Sequence, residues 1–222
     1  MNDRKTLIFC DFDGTVAKKD IGYNFFYHFS EGKNMELIPH WKAGEMTSRD
    51  CLLQEAAMVK ATTAEIYNFL DQFEIDPGFP GFVELCRKND IEPIILSDGF
   101  DFYINHVLQK YQLAHLPLYC NIGRLENKSI TVEFPHENHT CPRCGNCKGE
   151  RMAEIRSRME VPYRTVFVGD GLSDICAIEE TDLLFAKKDL ELYCLKNNIP
   201  YNKYRDFNDV ARDLIVNGHL KE

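Results

Sequence analysis

Short apolar segments rich in β-branched and aromatic residues alternate along the chain with longer amphipathic segments. Four of the apolar segments predict buried strands, at 6–10, 92–96, 165–168 and 183–186. The amphipathic segments predict helices at 79–89, 100–112, 149–160, 172–180 and 188–197. Because parallel strands are joined by helical crossovers, the alternation predicts an α/β fold with a Rossmann-like parallel sheet and helices on both faces.

Residues 17–76 interrupt this alternation. They carry no convincing strand pattern, and their clearest helical patterns lie at 48–59 and 63–73. The segment DPGFPG at 76–81 ends the interruption with residues that break helices. We therefore expect a helical insertion at 17–76 in a core made of 1–16 and 77–222.

Composition and charge narrow the class of protein. The 222 residues are 44% hydrophobic, which suits one globular domain with an insertion. Acidic residues (35) outnumber Lys plus Arg (26), so the net charge of −9 argues against nucleic acid or an anionic membrane as partner. No apolar run reaches 18 residues, and the start resembles a buried strand more than a signal peptide. We expect a cytoplasmic monomer or homodimer whose partner is a small metabolite.

Two carboxylates follow the first predicted strand directly. Asp11 and Asp13 stand two residues apart in DFDGT, so both can face the crevice beyond the carboxyl end of the sheet. One carboxylate can then attack an electrophile while the other manages the proton of the leaving group. Gly14 allows close approach of the backbone to an anion, and Thr15 adds a hydroxyl. A solvated turn is the alternative, but the position after a buried strand favours chemistry.

Further polar residues follow in an order that carries a resemblance. Ser97 ends the second predicted strand, Lys148 opens a helical pattern, and Asp170 and Asp174 follow the third strand in GDGLSD. Each has a plain alternative as a helix cap or a solvated side chain. Together with DFDGT, however, they resemble the four ordered motifs of the haloacid dehalogenase superfamily, including its GDxxxD pattern.

The resemblance implies a magnesium-dependent phosphatase with an aspartyl-phosphate intermediate. Asp11 would be the nucleophile and Asp13 the general acid and base, while Ser97 and Lys148 would hold the phosphoryl group. The implied Mg²⁺ ligands are Asp11, the main-chain carbonyl of Asp13, and Asp170, with Asp174 supporting them. The insertion is similar to the C1 cap of the superfamily. The candidate substrate contacts are Gly14, Thr15, Asp20, Tyr23, Asp98 and Gly99.

Over nearly the whole chain the resemblance is to the subclass IB phosphatases. The group that is most similar contains the methionine-salvage enzyme acting on 2-hydroxy-3-keto-5-methylthiopentenyl-1-phosphate, and phosphoethanolamine/phosphocholine phosphatases look next nearest. The features that carry it are SDGFDFYI at 97–104, FPH at 134–136, Cys147-Lys148 and GDGLSD at 169–174. Asp20 stands where phosphoserine phosphatases resemble one another in carrying Glu, which weakens that substrate assignment. A phosphomutase and a non-catalytic scaffold are the remaining alternatives.

An excursion at 117–147 combines a predicted β-hairpin at 122–134 with a stretch rich in cysteine and histidine. Its potential soft-metal ligands are His136, His139, Cys141, Cys144 and Cys147. Three cysteines and either histidine would complete a tetrahedral structural Zn²⁺ site, while the alternative is a loop of reduced thiols. The sequence leaves both open. Four other cysteines lie in apolar stretches and are expected in the core: Cys10, Cys86, Cys120 and Cys176.

Overall fold

A seven-stranded sheet forms the centre of the molecule. The structure, a computed structural model, describes residues 5–136 and 138–222, so residues 1–4 of the expected core and residue 137 of the excursion lie outside it. The strands are β1 (Lys5–Asp11), β2 (Ile94–Phe100), β3 (Leu118–Glu126), β4 (Ser129–Glu133), β5 (Tyr163–Gly169), β6 (Leu183–Ala186) and β7 (Asn202–Lys203). Their order is β4-β3-β2-β1-β5-β6-β7, and only the β3–β4 hairpin is antiparallel. The predicted α/β fold with a parallel sheet is confirmed.

Helices cover both faces of the sheet. The α-helices of the described residues, including those of the excursion after β1, are α1 (Ile21–Phe29), α2 (Ile38–Ala43), α3 (Ser48–Met58), α4 (Thr63–Leu70), α5 (Phe79–Lys88), α6 (Asp101–Gln109), α7 (Lys148–Ser157), α8 (Lys188–Asn197) and α9 (Phe207–Val216). Side chains alternate along β1, so Ile8 and Cys10 join the core under α5, α6 and α9, whereas Phe9 joins the core under α7 and α8.

Three described segments differ from the sequence prediction, namely Leu172–Glu180, strand β7 and helix α9. The segment Leu172–Glu180 is a 3-10 helix instead of an α-helix, and the carboxylate of Asp174 caps its first turn by accepting from the backbone N–H groups of Asp170 and Gly171. Helix α9 was not predicted, although Asp206 caps it by accepting hydrogen bonds from two backbone N–H groups.

Helices α1 to α4 leave the core after β1 and return to it before α5. An antiparallel bridge between Ala17 and Ile75 joins the outgoing and returning chain at the base of this excursion. The bridge lies within one residue of each predicted end of the insertion at 17–76. The division into core and cap itself stays a prediction.

Strand β1 is central, and its two neighbours are β2 and β5. The chain leaves β1 towards β2 and leaves β5 towards β6 on the other side, so these connections diverge at the carboxyl ends of β1 and β5, where α/β sheets bind ligands in a crevice. Asp11 is the last residue of β1, and Gly169 is the last residue of β5. No helix within 5–136 or 138–222 is long and apolar enough to cross a membrane.

Candidate active site

Asp11 lies at the base of the crevice with only 4% of its surface exposed. Its Oδ1 accepts a hydrogen bond from Lys148 Nζ at 2.5 Å. Burial raises the pKa of Asp11 well above its usual range, the charge of Asp174 raises it further, and Lys148 opposes both. The lysine therefore offsets part of the cost of a buried negative charge on Asp11.

Lys148 begins α7 and joins two of the predicted motifs. Its side chain is 1% exposed, and its Nζ binds the carboxylates of both Asp11 and Asp174. Burial lowers the pKa of Lys148, but the two carboxylates outweigh burial and hold it above its ordinary value. A fixed positive charge at this place can neutralise a phosphoryl group that approaches Asp11.

Three buried carboxylates converge beside this lysine. One oxygen from each of Asp11, Asp170 and Asp174 lies within 4.8 Å of the others. Such a group of like charges is unfavourable without cations between its members, and carboxylate oxygens are the ligands that a hard divalent cation prefers. The residues present therefore fit Mg²⁺, and each of the three belongs to the predicted magnesium set.

Lys188 brings a second cation to this cluster and contacts the backbone of Gly14. Lys188 Nζ lies 2.7 Å from Asp170 Oδ2 and donates to the Gly14 carbonyl at 3.3 Å. Gly14 has a φ of +74°, and a Cβ there would lie 2.3 Å from Asp170 Oδ2. Only glycine fits, because a side chain would both strain the backbone and displace a candidate metal ligand.

Asp13 faces the start of the helical excursion. Its Oδ1 accepts from the backbone N–H groups of Ile21 and Gly22, at 2.7 and 3.1 Å, and its Oδ2 accepts from Tyr103 Oη at 2.7 Å. Burial, reinforced by Asp20, raises the pKa of Asp13 to about 7 against these hydrogen bonds. A carboxyl group with such a pKa can both give and take a proton near neutral pH.

Ser97 and Asp98 lie where the pairing of β2 with β3 becomes irregular, between Leu96 and Phe100. Ser97 is buried and its Oγ accepts from the N–H of Gly99 at 3.0 Å. Asp98 was predicted to contact substrate, and it does line the cavity described below. Its carboxylate, however, accepts hydrogen bonds from the backbone N–H groups of Gly145 and Asn146 in the loop 138–147, called the cysteine-rich loop below. We infer that Asp98 positions this loop.

A cavity of about 430 Å³ opens above Asp11 and Asp13, between the sheet and helices α1 to α3. Of the predicted substrate contacts, Asp20, Tyr23 and Gly99 line it. Thr15 is buried instead, where its hydroxyl accepts from Tyr204 at 3.4 Å. The apolar or aromatic residues of the wall include Phe26, Ile38, Trp41 and Leu52.

Sequence reasoning missed three polar residues of this site. Glu55 on α3 lines the cavity, is 5% exposed and accepts from Asn34 Nδ2 at 3.0 Å. A signal was present, since Glu55 follows Cys51 by four residues on the buried face of α3. Lys188 follows a predicted strand end, as the motif aspartates do, and Tyr103 stands in SDGFDFYI at 97–104, although no role was assigned to it. Burial raises the pKa of Glu55 to about 7.

The cysteine-rich loop departs from the predicted zinc ligands. The sulfurs of Cys141, Cys144 and Cys147 cluster with Cys176, and all four lie within 4.8 Å of one another. Cys176, expected in the core, is only partly buried and belongs to this cluster. The two predicted histidines lie outside it: the His136 ring packs against Tyr119, and the backbone N–H of His139 donates to Glu150. The group therefore includes three of the five predicted zinc ligands and neither histidine.

Comparisons with known proteins find similar proteins that are named phosphatases. The model of the family described as Putative Phosphatase matches residues 6–205. A 2-hydroxy-3-keto-5-methylthiopentenyl-1-phosphate phosphatase from Brevibacillus brevis is 28% identical over 222 residues, covering 95% of this chain and 96% of its own. The enzyme of the same name from Bacillus thuringiensis strain Al Hakam is 29% identical, covering 93% and 94%.

Solved structures share the fold. A phosphoserine phosphatase with an analogue of the phospho-aspartyl intermediate has a TM-score of 0.72 at 18% identity, covering 95% of this chain and 99% of its own. A HAD-family hydrolase from Salmonella enterica has a TM-score of 0.75 at 16% identity, covering 97% and 72%. The family model spans most of the chain, and the motif residues converge in one crevice. The chain therefore belongs to the Putative Phosphatase family, and it shares its fold with these phosphoserine phosphatase and HAD-family structures.

Proposed function

We propose that the chain hydrolyses a small phosphorylated metabolite through an aspartyl-phosphate on Asp11, with Mg²⁺ as cofactor. One observation carries the proposal: Asp11, at the end of the central strand, contacts Lys148 and clusters with Asp170 and Asp174. Phosphoryl transfer depends chiefly on positioning and on neutralising charge, and this arrangement supplies both.

The chemistry divides into two displacements at phosphorus. A carboxylate oxygen of Asp11 attacks the phosphorus atom, forming an O–P bond as the bond to the leaving alkoxide breaks. Asp13 gives its proton to the alkoxide, then takes one from the water that attacks the aspartyl-phosphate. That second attack releases phosphate and regenerates Asp11. Lys148 and the hydroxyl of Ser97 hold the phosphoryl oxygens throughout.

The bound Mg²⁺ would be held by Asp11 and Asp170, with Asp174 beside them and the Asp13 carbonyl as the further expected ligand. When bound, it supplies Lewis-acid neutralisation of phosphoryl charge. The carboxylate of Asp174 also holds the Asp170 backbone N–H at 2.9 Å, so it orients the loop that presents Asp170. We propose that Asp174 acts mainly by this orientation.

The cavity wall favours a substrate with an uncharged organic part. Phe26, Ile38, Trp41 and Leu52 can pack against an aliphatic or thioether end, while the phosphate faces Asp11. Relatives at 28–29% identity bear the name 2-hydroxy-3-keto-5-methylthiopentenyl-1-phosphate phosphatase, and such a compound has an apolar methylthio end. We propose a phosphate ester of this type, with helices α1 to α4 acting as a cap that excludes water.

A second candidate rests on the carboxyl groups of the same wall. Asp20 and Glu55 line the cavity together with the indole of Trp41. Carboxylates and an indole attract an ammonium or quaternary ammonium group, which favours phosphoethanolamine or phosphocholine. Glu55→Gln would then raise KM for these two substrates and leave KM for an aryl phosphate unchanged.

The central test is Asp11→Asn, assayed by release of inorganic phosphate from an aryl phosphate with Mg²⁺. We expect kcat to fall by at least about a thousandfold, because the amide is not a nucleophile. Asp90→Asn is the matched control: Asp90 is exposed and has a φ of +57°, which asparagine tolerates. Near-normal kcat in folded Asp11→Asn would refute the assignment.

A panel of phosphate esters then chooses the substrate. It contains the hydroxy-keto-methylthiopentenyl phosphate, phosphoethanolamine, phosphocholine and phosphoserine, each compared by kcat/KM. Preference for the first supports the apolar-wall proposal, and preference for the second or third supports the cationic alternative. Turnover that requires a sugar bisphosphate would indicate a mutase, and lack of all turnover would indicate a scaffold.

A further inference from the structure

Four cysteine sulfurs form a compact cluster behind the active site. Three come from the loop before α7, and the fourth comes from the 3-10 helix Leu172–Glu180. We propose that Cys141, Cys144, Cys147 and Cys176 bind one structural Zn²⁺ ion. This site is separate from the proposed magnesium site, because none of its ligands belongs to the carboxylate group around Asp11.

The spacing of the sulfurs matches a tetrahedron around one ion. Cys176 Sγ lies 3.9 Å from Cys141 Sγ and 3.8 Å from Cys144 Sγ. A Zn–S bond of about 2.3 Å makes the edge of a regular tetrahedron about 3.8 Å. All four sulfurs lie within 4.8 Å of one another, and all four cysteines are free thiols without a disulfide. A cluster of several irons would need sulfurs spread more widely around it.

The loop is shaped by hydrogen bonds that aim its thiols inward. Asn138 binds both ends of the turn, donating to the Cys144 carbonyl at 2.7 Å and accepting from the Cys147 N–H at 3.1 Å. The Glu150 carboxylate accepts from the Cys141 N–H at 2.6 Å. Partners of this kind fix the orientation of metal ligands, so the site is prepared before an ion arrives.

The start of α7 favours negative charge on the cluster. Cys147 precedes α7 directly, and the Glu150 backbone N–H donates to its sulfur. A helix N-terminus stabilises a thiolate, which is the form that binds metal.

The ion would tie together the parts of the catalytic centre. Cys147 adjoins Lys148, and Cys176 lies two residues after Asp174, so one ion would hold both members of the Lys148–Asp174 ion pair. The loop also reaches the proposed cap, because the Arg143 carbonyl accepts from the Ser48 N–H at 2.7 Å. We therefore infer a structural role that supports catalysis from outside the crevice.

The test measures metal in the whole protein purified without chelator. We expect about one zinc per chain by elemental mass spectrometry, and thiolate-to-metal absorption with tetrahedral d–d bands after exchange to Co²⁺. Cys176→Ser should weaken zinc retention against a competing chelator at least about tenfold, since one of four ligands is lost. The matched control Cys194→Ser changes a buried cysteine outside the cluster and should retain the ion.

Histidine variants separate this site from a mixed Cys/His site. His136→Ala and His139→Ala should keep one zinc and an unchanged Co²⁺ spectrum. Loss of zinc in either variant would overturn the four-cysteine assignment. If Cys176→Ser does not fold, the wild-type protein still decides the matter: absence of zinc, stoichiometric iron, or four thiols that react freely under native conditions would each overturn the proposal.

Discussion

At the scale of single residues, the chemistry depends on ionisable groups that have little contact with water. Lys148 and Asp174 are almost fully buried and bind each other, and Lys148 also binds Asp11. Removing one partner would leave a buried charge unpaired, which typically costs about 3–5 kcal/mol. Glu55 differs, because its hydrogen-bond partners are the neutral side chains of Asn34 and Cys51 and burial outweighs them in raising its pKa.

Glu55→Gln should make stability less sensitive to pH. The folded protein holds the Glu55 pKa at about 7, above its ordinary value of 4.5, so the folded state retains a proton that the unfolded state loses. Wild-type stability therefore falls as pH rises from 4.5 to 7, and glutamine does not share this loss. The difference between these two pKa values corresponds to about 3 kcal/mol in the free energy of unfolding.

Urea unfolding of both proteins at pH 5 and pH 8 measures this difference. The free energy of unfolding of Glu55→Gln relative to wild type should increase towards pH 8, while exposed Glu36→Gln should show no such change. An equal offset of Glu55→Gln at both pH values would contradict the argument.

At the scale of elements, the contact of α7 with the segment Leu172–Glu180 brings the later motifs together. Gly149 lies in the first turn of α7 against the backbone of Cys176, and a Cβ there would lie 2.0 Å from the Cys176 carbonyl oxygen. The atom in the way is backbone and cannot rotate aside. The absence of a side chain thus allows Lys148 and Asp174 to meet.

Gly149→Ala should destabilise the protein by about 1–3 kcal/mol, because α7 must move away from the segment that carries Cys176. It should also lower kcat, since Lys148 moves with the helix. Gly81→Ala is the matched control: Gly81 lies in α5, where an added Cβ meets nothing within 4 Å, and alanine should stabilise α5 by up to about 1 kcal/mol. Thermal unfolding measures the stability of both variants, and steady-state kinetics measures their kcat. Equal stability and equal kcat in the two variants would contradict the prediction.

At the scale of the whole molecule, the fold concentrates negative charge at one edge of the sheet. The chain carries a net charge of −9, and three of its carboxylates share the crevice between β1 and β5. Such a concentration is tolerable because Lys148 and Lys188 lie beside it and because a divalent cation fits it. Metal binding and folding stability should therefore be linked.

Mg²⁺ should raise the melting temperature of the wild-type protein. At a free concentration of 100 times Kd, binding to the folded state alone adds about 2.7 kcal/mol. Asp170→Asn should lose most of this effect, because it removes a charged ligand from the cluster. Asp90→Asn should keep it. If the wild-type melting temperature does not change at Mg²⁺ concentrations that saturate activity, metal binding and stability are not linked.

The sequence by itself determined the α/β fold, because strand and helix periodicity are local properties that tertiary contacts here reinforce. It also pointed to Asp11, Asp13, Ser97, Lys148, Asp170 and Asp174, because their order along the chain resembles the ordered motifs of a known superfamily. The structure brings these residues to one crevice, while their catalytic roles stay proposals.

Only the tertiary structure decided which distant residues join them. Tyr103 reaches Asp13 across 90 residues, and Lys188 reaches Gly14 across 174. Cys176 takes the place of the expected histidines beside the other three cysteines, because the 3-10 helix that carries it packs against a loop about 30 residues earlier in the chain. Periodicity and spacing describe neighbours along the chain, whereas these contacts depend on how separate elements pack in space.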